Sequence, residues 1–408
     1  MPLALLALTI SAFAIGTTEF VIVGLIPTIA ENLHVSLPSA GLLVSLYALA
    51  VAVGAPVLTA LTGKVPRKTL LVALMALFAL GNLVAWWAPS YETLIAARVL
   101  TGLAHGVFFS VGSIIATNLV PKEKAASAIA TMFSGMTVAF VTGIPLGTIV
   151  GQHFGWRATF LIVAGFGLVA LAGSLWFVPK NIRHDAPQPL LKQARVLVQP
   201  RLLLVYAMTA VGYGGSLVAF TYLAPILEQI SGFSASFVGV VLLVYGISVA
   251  VGNVWGGKLA DKRGPVFALK VIFGLLAVVL LVLTFTAPSK PLVLLTVLAW
   301  GAVAFGNVPA LQVYVVMQAE RFAPGSANVA SGLNIAAFNL GVAGGSAAGG
   351  QIVAHLGLIN TPWIGAVIVA VALALTVLSG WLDRRDPLAR QSQSESQSLS
   401  GTAAAGSQ

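Results

Sequence analysis

The sequence predicts an all-α membrane protein whose twelve transmembrane helices form two six-helix bundles, related by a pseudo-two-fold axis along the membrane normal. Three observations predict this fold class: the composition, a series of long apolar runs, and an internal repeat. Of the 408 residues, 58% are hydrophobic and 8% are charged, whereas charged residues make up about 25% of an ordinary soluble domain. The chain therefore belongs in a membrane, and its net charge of +10 has to be explained there rather than by nucleic-acid binding.

Twelve apolar runs are each long enough to cross a bilayer, which takes roughly 20 helical residues. The predicted spans are residues 4–30, 40–62, 69–88, 93–118, 126–151, 158–179, 202–227, 235–257, 266–287, 292–318, 327–353 and 361–382. The first run is too long for a removed signal peptide and lacks a basic segment before it, so we expect it to remain as a span.

The two halves of the chain repeat each other. A displacement of 198 residues aligns residues 16–64 with residues 214–262 without a gap and with 12 identities. Six spans separate equivalent points, so both copies cross the membrane in the same direction, as in a parallel repeat. The predicted parts are a first bundle (1–180), a cytoplasmic linker (181–200), a second bundle (201–382) and a disordered cytoplasmic tail (383–408).

Basic residues predict the orientation. Alternate gaps between the spans, together with the tail, hold 18 of the 21 Lys and Arg residues. Cytoplasmic loops carry such an excess, so we expect a multi-pass protein of the bacterial inner membrane with both termini in the cytoplasm. The absence of cysteine excludes disulfides, thiolate catalysis and Cys-ligated metals.

Glu19 is the one carboxylate that the sequence places inside a predicted span. An ionisable group at membrane depth typically marks a proton, ion or substrate pathway; the alternative is a neutral Glu that hydrogen-bonds a neighbouring helix. Arg98 in the fourth span lies roughly 9 Å below the outer end and Glu19 about 12–16 Å below it, so they form a candidate functional pair. Whether they touch, directly or through a water, depends on helix rotation that the sequence does not give, so contact and no contact both remain open. His105 follows Arg98 on the same helix face, either as a proton relay or as a structural histidine.

Isolated polar side chains inside the spans are candidates for a substrate cavity. The alternative for each of them is an interhelical hydrogen bond. The candidates are Thr17, Thr18, Tyr47, His105 and Asn118 in the first half, and Tyr213, Tyr222, Tyr245, Asn307, Gln312, Asn334 and Asn339 in the second half. The second half has no ionisable group at mid-membrane, which suits neutral or amphipathic substrates better than anions.

The fifth span combines regularly spaced glycines with a proline. Gly143, Gly147 and Gly151 recur at every fourth position, and Pro145 removes a backbone hydrogen bond and kinks the helix. We expect this bare face to approach the opposite bundle closely and to act in gating. Plain helix packing is the alternative, because glycine is common in spanning helices.

Several motifs match those of one transporter family. Gly257-Lys-Leu-Ala-Asp-Lys-Arg-Gly264 looks like its loop signature, Arg98-Val-Leu-Thr-Gly102 like its helix-4 signature, and the stretch from Gly135 to Gly147 like the helix-5 signature of its antiporters. By these motifs the chain resembles the major facilitator superfamily over residues 4–382. Residues 16–30 and 105–109 are similar to its twelve-span bacterial drug:proton antiporters, among them the sugar-efflux and amphenicol-efflux proteins. The resemblance implies that Arg98 couples proton movement to transport.

The loop signature also implies a latch. In the family this loop closes the cytoplasmic side by pairing its carboxylate with a basic group and a helix start, which assigns gating to Asp261, Lys262 and Arg263. The first-half loop has Gly63 where the matching Asp belongs. We therefore expect half of the latch. The alternatives are simple solubility for Asp261 and, for the first-half loop with Lys64, Arg67 and Lys68, a basic loop that only sets the orientation.

The predicted function is proton-coupled efflux, by antiport and alternating access, of small neutral or amphipathic molecules such as drugs or sugars. The sequence has no Gly-x4-Gly-Lys-Ser/Thr phosphate loop, so an ion gradient rather than ATP is the expected energy source. A proton symporter or facilitator for a neutral sugar or nucleoside is the alternative. An intramembrane enzyme is a remote one, because it needs clustered acids, histidines or metal ligands at one depth. We expect no cofactor other than the proton as coupling ion, no metal and no nucleic acid, and a monomer that contacts its substrate and membrane lipids.

Overall fold

The computed structural model describes residues 3–62, 64–121, 124–182 and 196–385, and its regular elements within these ranges are helices. Gly63, most of the predicted linker and the tail beyond Arg385 lie outside the described residues.

The first bundle contains six helices. They are α1 (Leu3–Asn32), α2 (Leu37–Leu61), α3 (Arg67–Trp87), α4 (Tyr91–Asn118), α5 (the consecutive segments Ala125–Val138, Ala139–Gly143 and Ile144–Phe154) and α6 (Trp156–Phe177). Helix α4 begins after an N-cap, Ser90, whose side chain accepts a hydrogen bond from the N–H of Thr93, and Glu92 in its first turn complements the helix dipole.

The second bundle also contains six helices, four of which have proline in their first turn, where its missing N–H is tolerated. They are α7 (Pro200–Phe220, then Leu223–Pro225 and Ile226–Ile230), α8 (Ala235–Arg263), α9 (Pro265–Thr286), α10 (Lys290–Ala304, then Asn307–Phe322), α11 (Ala327–His355) and α12 (Thr361–Arg385).

Helix α11 differs from the other spans in composition. Within the described residues, 11 helical spans are long and apolar enough to cross a membrane, and α11 is not among them although it has 29 residues. Glycines, serines and asparagines lower its hydropathy. The same small residues let it pack closely against α7 and α2. With α11 counted, the predicted twelve-helix fold class is confirmed.

The repeat is visible in the packing. Helix α1 packs on α5 and α6, and α7 packs on α11 and α12 in the same way; the pairs α2–α4 and α3–α6 correspond to α8–α10 and α9–α12. The two bundles meet along α2–α11 and α5–α8, which are also equivalent under the repeat. The interface therefore has the pseudo-two-fold symmetry that the sequence predicts.

The two bundles pack closely on the side of the membrane opposite the termini, which we call the distal side. A Cβ added to Gly239 of α8 would lie 3.4 Å from the Pro145 carbonyl of α5. Deeper in the membrane, Gly246 of α8 fits against the backbone of Phe140. Phe140 belongs to the π-helical turn Ala139–Gly143, which directly precedes the segment containing Pro145. The proline region of α5 thus lies at the bundle interface.

The glycine face of α5 points elsewhere. Each of its three glycines lies against an α1 side chain of the same bundle. The contacts are Gly143 with Thr17, Gly147 with Val21, and Gly151 with Leu25. The prediction that this face approaches the opposite bundle is wrong, because the spacing of residues defines a face but not the neighbour that it meets.

Candidate functional site

Glu19 lies inside the first bundle. It is 4% exposed, and its Oε2 atom lies 3.9 Å from Nδ1 of His105. That distance is too long for a hydrogen bond, and Oε2 has no hydrogen-bond partner. Since buried polar atoms are normally paired, this oxygen has an unfilled place for a proton or a donor.

Arg98 is anchored by backbone carbonyls. Its Nε donates to the carbonyl of Leu43 (3.3 Å), and its two terminal nitrogens donate to those of Thr18 (2.6 Å) and Glu19 (3.1 Å). The guanidinium also lies 4.0 Å from the ring centroid of Tyr47, a cation–π distance. Arg98 and Glu19 therefore do meet, through the main chain of Glu19.

His105 connects Glu19 to Tyr47. Its Nδ1 lies 3.0 Å from the Tyr47 hydroxyl in addition to its approach to Glu19. All four side chains are buried. Helices α1, α2 and α4 thus assemble one group of titratable and charged residues, which we call the Glu19 cluster: Glu19, Tyr47, Arg98 and His105.

An aromatic layer lies next to this cluster, between the two bundles. Phe20, directly after Glu19, packs on Phe140 of α5 and Phe220 of α7 with ring centroids 4.8 and 6.3 Å apart. The layer continues through Phe305 to Tyr213, at 5.4 Å. Tyr245, the repeat counterpart of Tyr47, stacks on Phe220 at 4.8 Å and packs against Trp300 at 5.5 Å.

Tyr222 occupies the distal contact between the bundles. It is 0% exposed, and its hydroxyl points at Gly41 of α2 and Gly350 of α11, where neither residue has room for a Cβ. The hydroxyl has no hydrogen-bond partner. We call Tyr222 with Gly41 and Gly350 the distal seal. Tyr222 thus lies in a closed contact instead of the open cavity expected from the sequence.

Two of the second-half candidates are joined in one hydrogen-bond chain. Asn334 accepts from Thr209 (2.7 Å) and donates to Gln312 (2.9 Å), which in turn donates to Ser331. For Asn334 and Gln312 the geometry matches the alternative of interhelical hydrogen bonding.

Asn307 and Asn339 are not part of this series of hydrogen bonds. Each donates to a carbonyl of its own helical region and leaves its side-chain oxygen buried without a partner. These two oxygens remain available as acceptors.

In the first half, the remaining polar candidates bond within or near α1 and α4. Thr17 donates to the carbonyl of Phe13 and Asn118 to that of Ile114, both on their own helices. Thr18 donates across to Asn82 of α3 at 2.8 Å.

A family model described as Major Facilitator Superfamily matches residues 8–334. The chain belongs to this superfamily. The resemblance predicted from the motifs is thereby confirmed, and the protein is a multi-pass membrane transporter rather than an enzyme. Members of the superfamily need no cofactor.

Related proteins support the same assignment over nearly the full length. The chain is 51% identical over 383 residues to YtbD of Bacillus subtilis (strain 168), an uncharacterized MFS-type transporter, covering 94% of this chain and 96% of that protein. It is 42% identical over 376 residues to the inner membrane transport protein YdhP of Escherichia coli (strain K12), covering 92% and 95%. It is 35% identical over 352 residues to AraJ, a putative transporter of the same strain, covering 86% and 88%.

Solved structures show the same fold. A bacterial homologue of the human lysosomal transporter Spinster, in an inward-facing and occupied conformation, superposes with a TM-score of 0.75 at 20% identity, covering 92% of this chain and 96% of that one. A mutant of the nucleoside transporter NupG gives a TM-score of 0.74 at 12% identity, with coverages of 92% and 98%.

The superfamily's loop signature lies at the end of α8, on the side of the termini. Asp261, Lys262 and Arg263 are exposed. Arg263 packs over Phe267 of its own bundle at 5.6 Å, and Asp261 forms no ion pair with any residue in the described ranges. Among the described residues, Asp261 and Arg263 therefore form no ion pair or ring contact with the other bundle, whereas Tyr222 packs against α2.

Sequence reasoning missed a charged cluster on the same side of the membrane. Asp383 of α12 lies 3.6 Å from Arg201 and 3.9 Å from Arg321, and accepts hydrogen bonds from Tyr314 (2.6 Å) and Gln318 (3.0 Å). The carboxylate of Asp383 thus links α12 to the first turn of α7 and to the last turns of α10. The end of the apolar run at residue 382 places Asp383 in the predicted tail, whereas the helix continues to Arg385.

Proposed function

We propose that this transporter exports small neutral or amphipathic molecules, such as drugs or sugars, in exchange for protons by alternating access. The observation that carries the proposal is the pairing within the Glu19 cluster: Arg98 is satisfied by three carbonyls, while a carboxyl oxygen of Glu19 lacks a partner.

This arrangement suits a group that gains and loses a proton in every cycle. A buried arginine whose only partner was the carboxylate would be left unpaired whenever Glu19 became neutral, at a cost of several kcal/mol. Because Arg98 is held by carbonyls instead, the charge of Glu19 can change without unpairing it. His105 and Tyr47 offer a path for the proton, since one ring nitrogen faces both the carboxyl group and the phenol.

The location and orientation follow from the basic residues. We place the protein in the bacterial inner membrane with both termini in the cytoplasm, as the positive-inside rule predicts; the inner membrane transport protein YdhP is a relative over most of the chain. The distal side is then periplasmic. Closed packing at Tyr222, together with an Asp261 that forms no ion pair with any described residue, supports a conformation that is shut toward the periplasm with its cytoplasmic latch released.

The second bundle supports uncharged or amphipathic substrates. At the level where Tyr47 faces Arg98 in the first bundle, Tyr245 faces the ring of Trp300. The unpaired side-chain oxygens of Asn307 and Asn339 can accept hydrogen bonds from hydroxyl or amine groups. An anion would find no basic partner among these side chains.

Transport in proteoliposomes tests the proposal. Radiolabelled chloramphenicol and a neutral disaccharide serve as probes, and an imposed pH gradient is the only energy source. One proton crossing about 100 mV supplies roughly 2.3 kcal/mol, and about 1.4 kcal/mol corresponds to a tenfold ratio, so one-for-one exchange with a neutral probe can reach about 50-fold accumulation. Glu19→Gln should abolish this accumulation without loss of folded protein.

Other outcomes would contradict the proposal in different ways. Probe movement in the same direction as the protons would identify a symporter. Accumulation that ignores the gradient would leave facilitation or another coupling ion, and full gradient-driven transport by Glu19→Gln would remove the carrier role from that residue.

A further inference from the structure

Asn82 stands out on α3. After the first three residues of that helix it is the only polar side chain, and it is 1% exposed. Burying an amide is unfavourable unless it is hydrogen-bonded. Asn82 accepts from the hydroxyl of Thr18 at 2.8 Å and donates to the carbonyl of Phe78 at 2.9 Å.

The partner of Asn82 is the residue that holds Arg98 most closely. The Thr18 carbonyl accepts the shortest of the three Arg98 hydrogen bonds, at 2.6 Å, and the next carbonyl along α1 is that of Glu19. Thr17, one position earlier, donates to its own helix, whereas Thr18 donates across to α3. The side chain and the main chain of Thr18 are therefore fixed by two different helices.

The neighbouring Gly81 connects the same part of α3 to α4. A Cβ at Gly81 would lie 2.6 Å from Thr101 Cγ2 and 3.5 Å from the Ala97 carbonyl. These α4 residues flank Arg98, and Thr101 donates to the Arg98 carbonyl at 3.0 Å. Gly81 and Asn82 together join α3 to α4 and α1 at the level of the Glu19 cluster.

We infer that Asn82 is a positioning residue for proton coupling: it holds α1 in the rotation at which Arg98 binds the carbonyls of Thr18 and Glu19 and the carboxyl group stays free. This inference rests on the proposed function. Without the Thr18–Asn82 hydrogen bond, the Thr18 hydroxyl can turn back to its own helix, as that of Thr17 does, and α1 loses the contact that sets its rotation. Arg98 is then no longer held away from the carboxylate.

The test compares coupling with movement of the probe. Wild type, Asn82→Leu, Thr18→Val and the conservative Thr18→Ser are reconstituted with radiolabelled chloramphenicol. Asn82→Leu and Thr18→Val should lower gradient-driven accumulation at least tenfold, while exchange of labelled for unlabelled probe without a gradient falls less than about threefold. Thr18→Ser should keep both activities. The double variant should be no worse than Asn82→Leu, because both changes remove one interaction.

A matched control is available in α12. The hydroxyl of Thr376 is buried and bonds only its own helix, to Ala372 at 2.8 Å. Thr376→Val removes a buried hydroxyl just as Thr18→Val does, and should leave the ratio of accumulation to exchange unchanged. If accumulation and exchange instead fall in parallel in Asn82→Leu, the residue serves stability alone and the inference is overturned.

A second measurement separates this inference from the proposed function. Hydrogen–deuterium exchange of the α1 peptide around Glu19 needs no substrate. Asn82→Leu and Arg98→Lys should accelerate exchange in this peptide, and Thr376→Val should not. An unchanged α1 peptide in Asn82→Leu would refute positioning even if the wild type is a proton antiporter, whereas a wild type without gradient-driven accumulation would refute only the coupling function.

Discussion

The packing of the distal seal predicts that a single added methyl group shifts the conformational equilibrium. A Cβ added to Gly41 would overlap the hydroxyl of Tyr222. The tyrosine is fully buried, and its ring and hydroxyl lie against Gly349 and Gly350 of α11, where an added Cβ would also come within 2.9 Å of it. The contact joins α2 of one bundle to α7 and α11 of the other. Gly41→Ala should therefore penalise only the conformation in which the distal side is closed.

The size of the effect follows from packing energetics. Adding a methyl group to a well-packed site costs typically about 1–3 kcal/mol. At about 1.4 kcal/mol per factor of ten, the equilibrium should shift about 5- to 150-fold toward the conformation that is open on the distal side.

Spin-label distances can measure this shift, and the chain has no native cysteine to remove. One label pair replaces the exposed residues Glu31 and Ser236 on the distal side, and a second pair replaces Lys64 and Lys258 on the side of the termini. In Gly41→Ala, the distal distances should lengthen and the others shorten. Gly165→Ala is the control, because a Cβ there meets nothing within 4 Å. Unchanged distributions for both pairs in Gly41→Ala would refute the seal.

Three further substitutions have expected outcomes. Tyr222→Phe removes a buried hydroxyl that has no hydrogen-bond partner in this conformation. Leaving such a group unpaired costs about 1–3 kcal/mol, so the variant should favour the distal-closed distances, and a shift the other way would contradict the packing. Asp261→Asn should also favour the distal-closed distances, since Asp261 forms no ion pair with the described residues in this conformation and its latch could act only when the side of the termini closes; unaltered distances would remove it from gating. Asp383→Asn should lower the free energy of unfolding by about 1–3 kcal/mol because it weakens the contacts to Arg201 and Arg321, and an unchanged thermal midpoint would show that the cluster is not stabilising.

The fold was predictable because a bilayer restricts what a sequence can do. Backbone groups must be paired inside each helix, so the number of long apolar runs gives the number of helices. The repeat of six spans then divides these helices into two equivalent bundles. The depth of Glu19 and Arg98 along their helices was predictable for the same reason. Depth depends only on the rise per residue.

The sequence did not determine the rotation of each helix about its axis or the residues that each side chain contacts. The glycines of α5 marked a bare face, but only packing places that face against α1. Arg98 needed an acceptor, and three backbone carbonyls, which every residue carries, supply it. Asn82 was a single amide in an apolar run, and the only available signal was its isolation there.

The asymmetry between the halves bears on how the proposed cycle works. The repeat gives both bundles a tyrosine at the same level, but Tyr47 stacks on a charged Arg98 and bonds His105, whereas Tyr245 stacks on Phe220 and packs edge-on against Trp300. In this proposal the first bundle handles protons and the second provides uncharged contacts to the substrate. Phe20, next to Glu19 on α1, packs on Phe220 of α7, so a movement of α1 that accompanies a change in the charge of Glu19 is passed directly to the second bundle by this ring contact. Proton and substrate can then compete through the position of α1 without sharing a binding group.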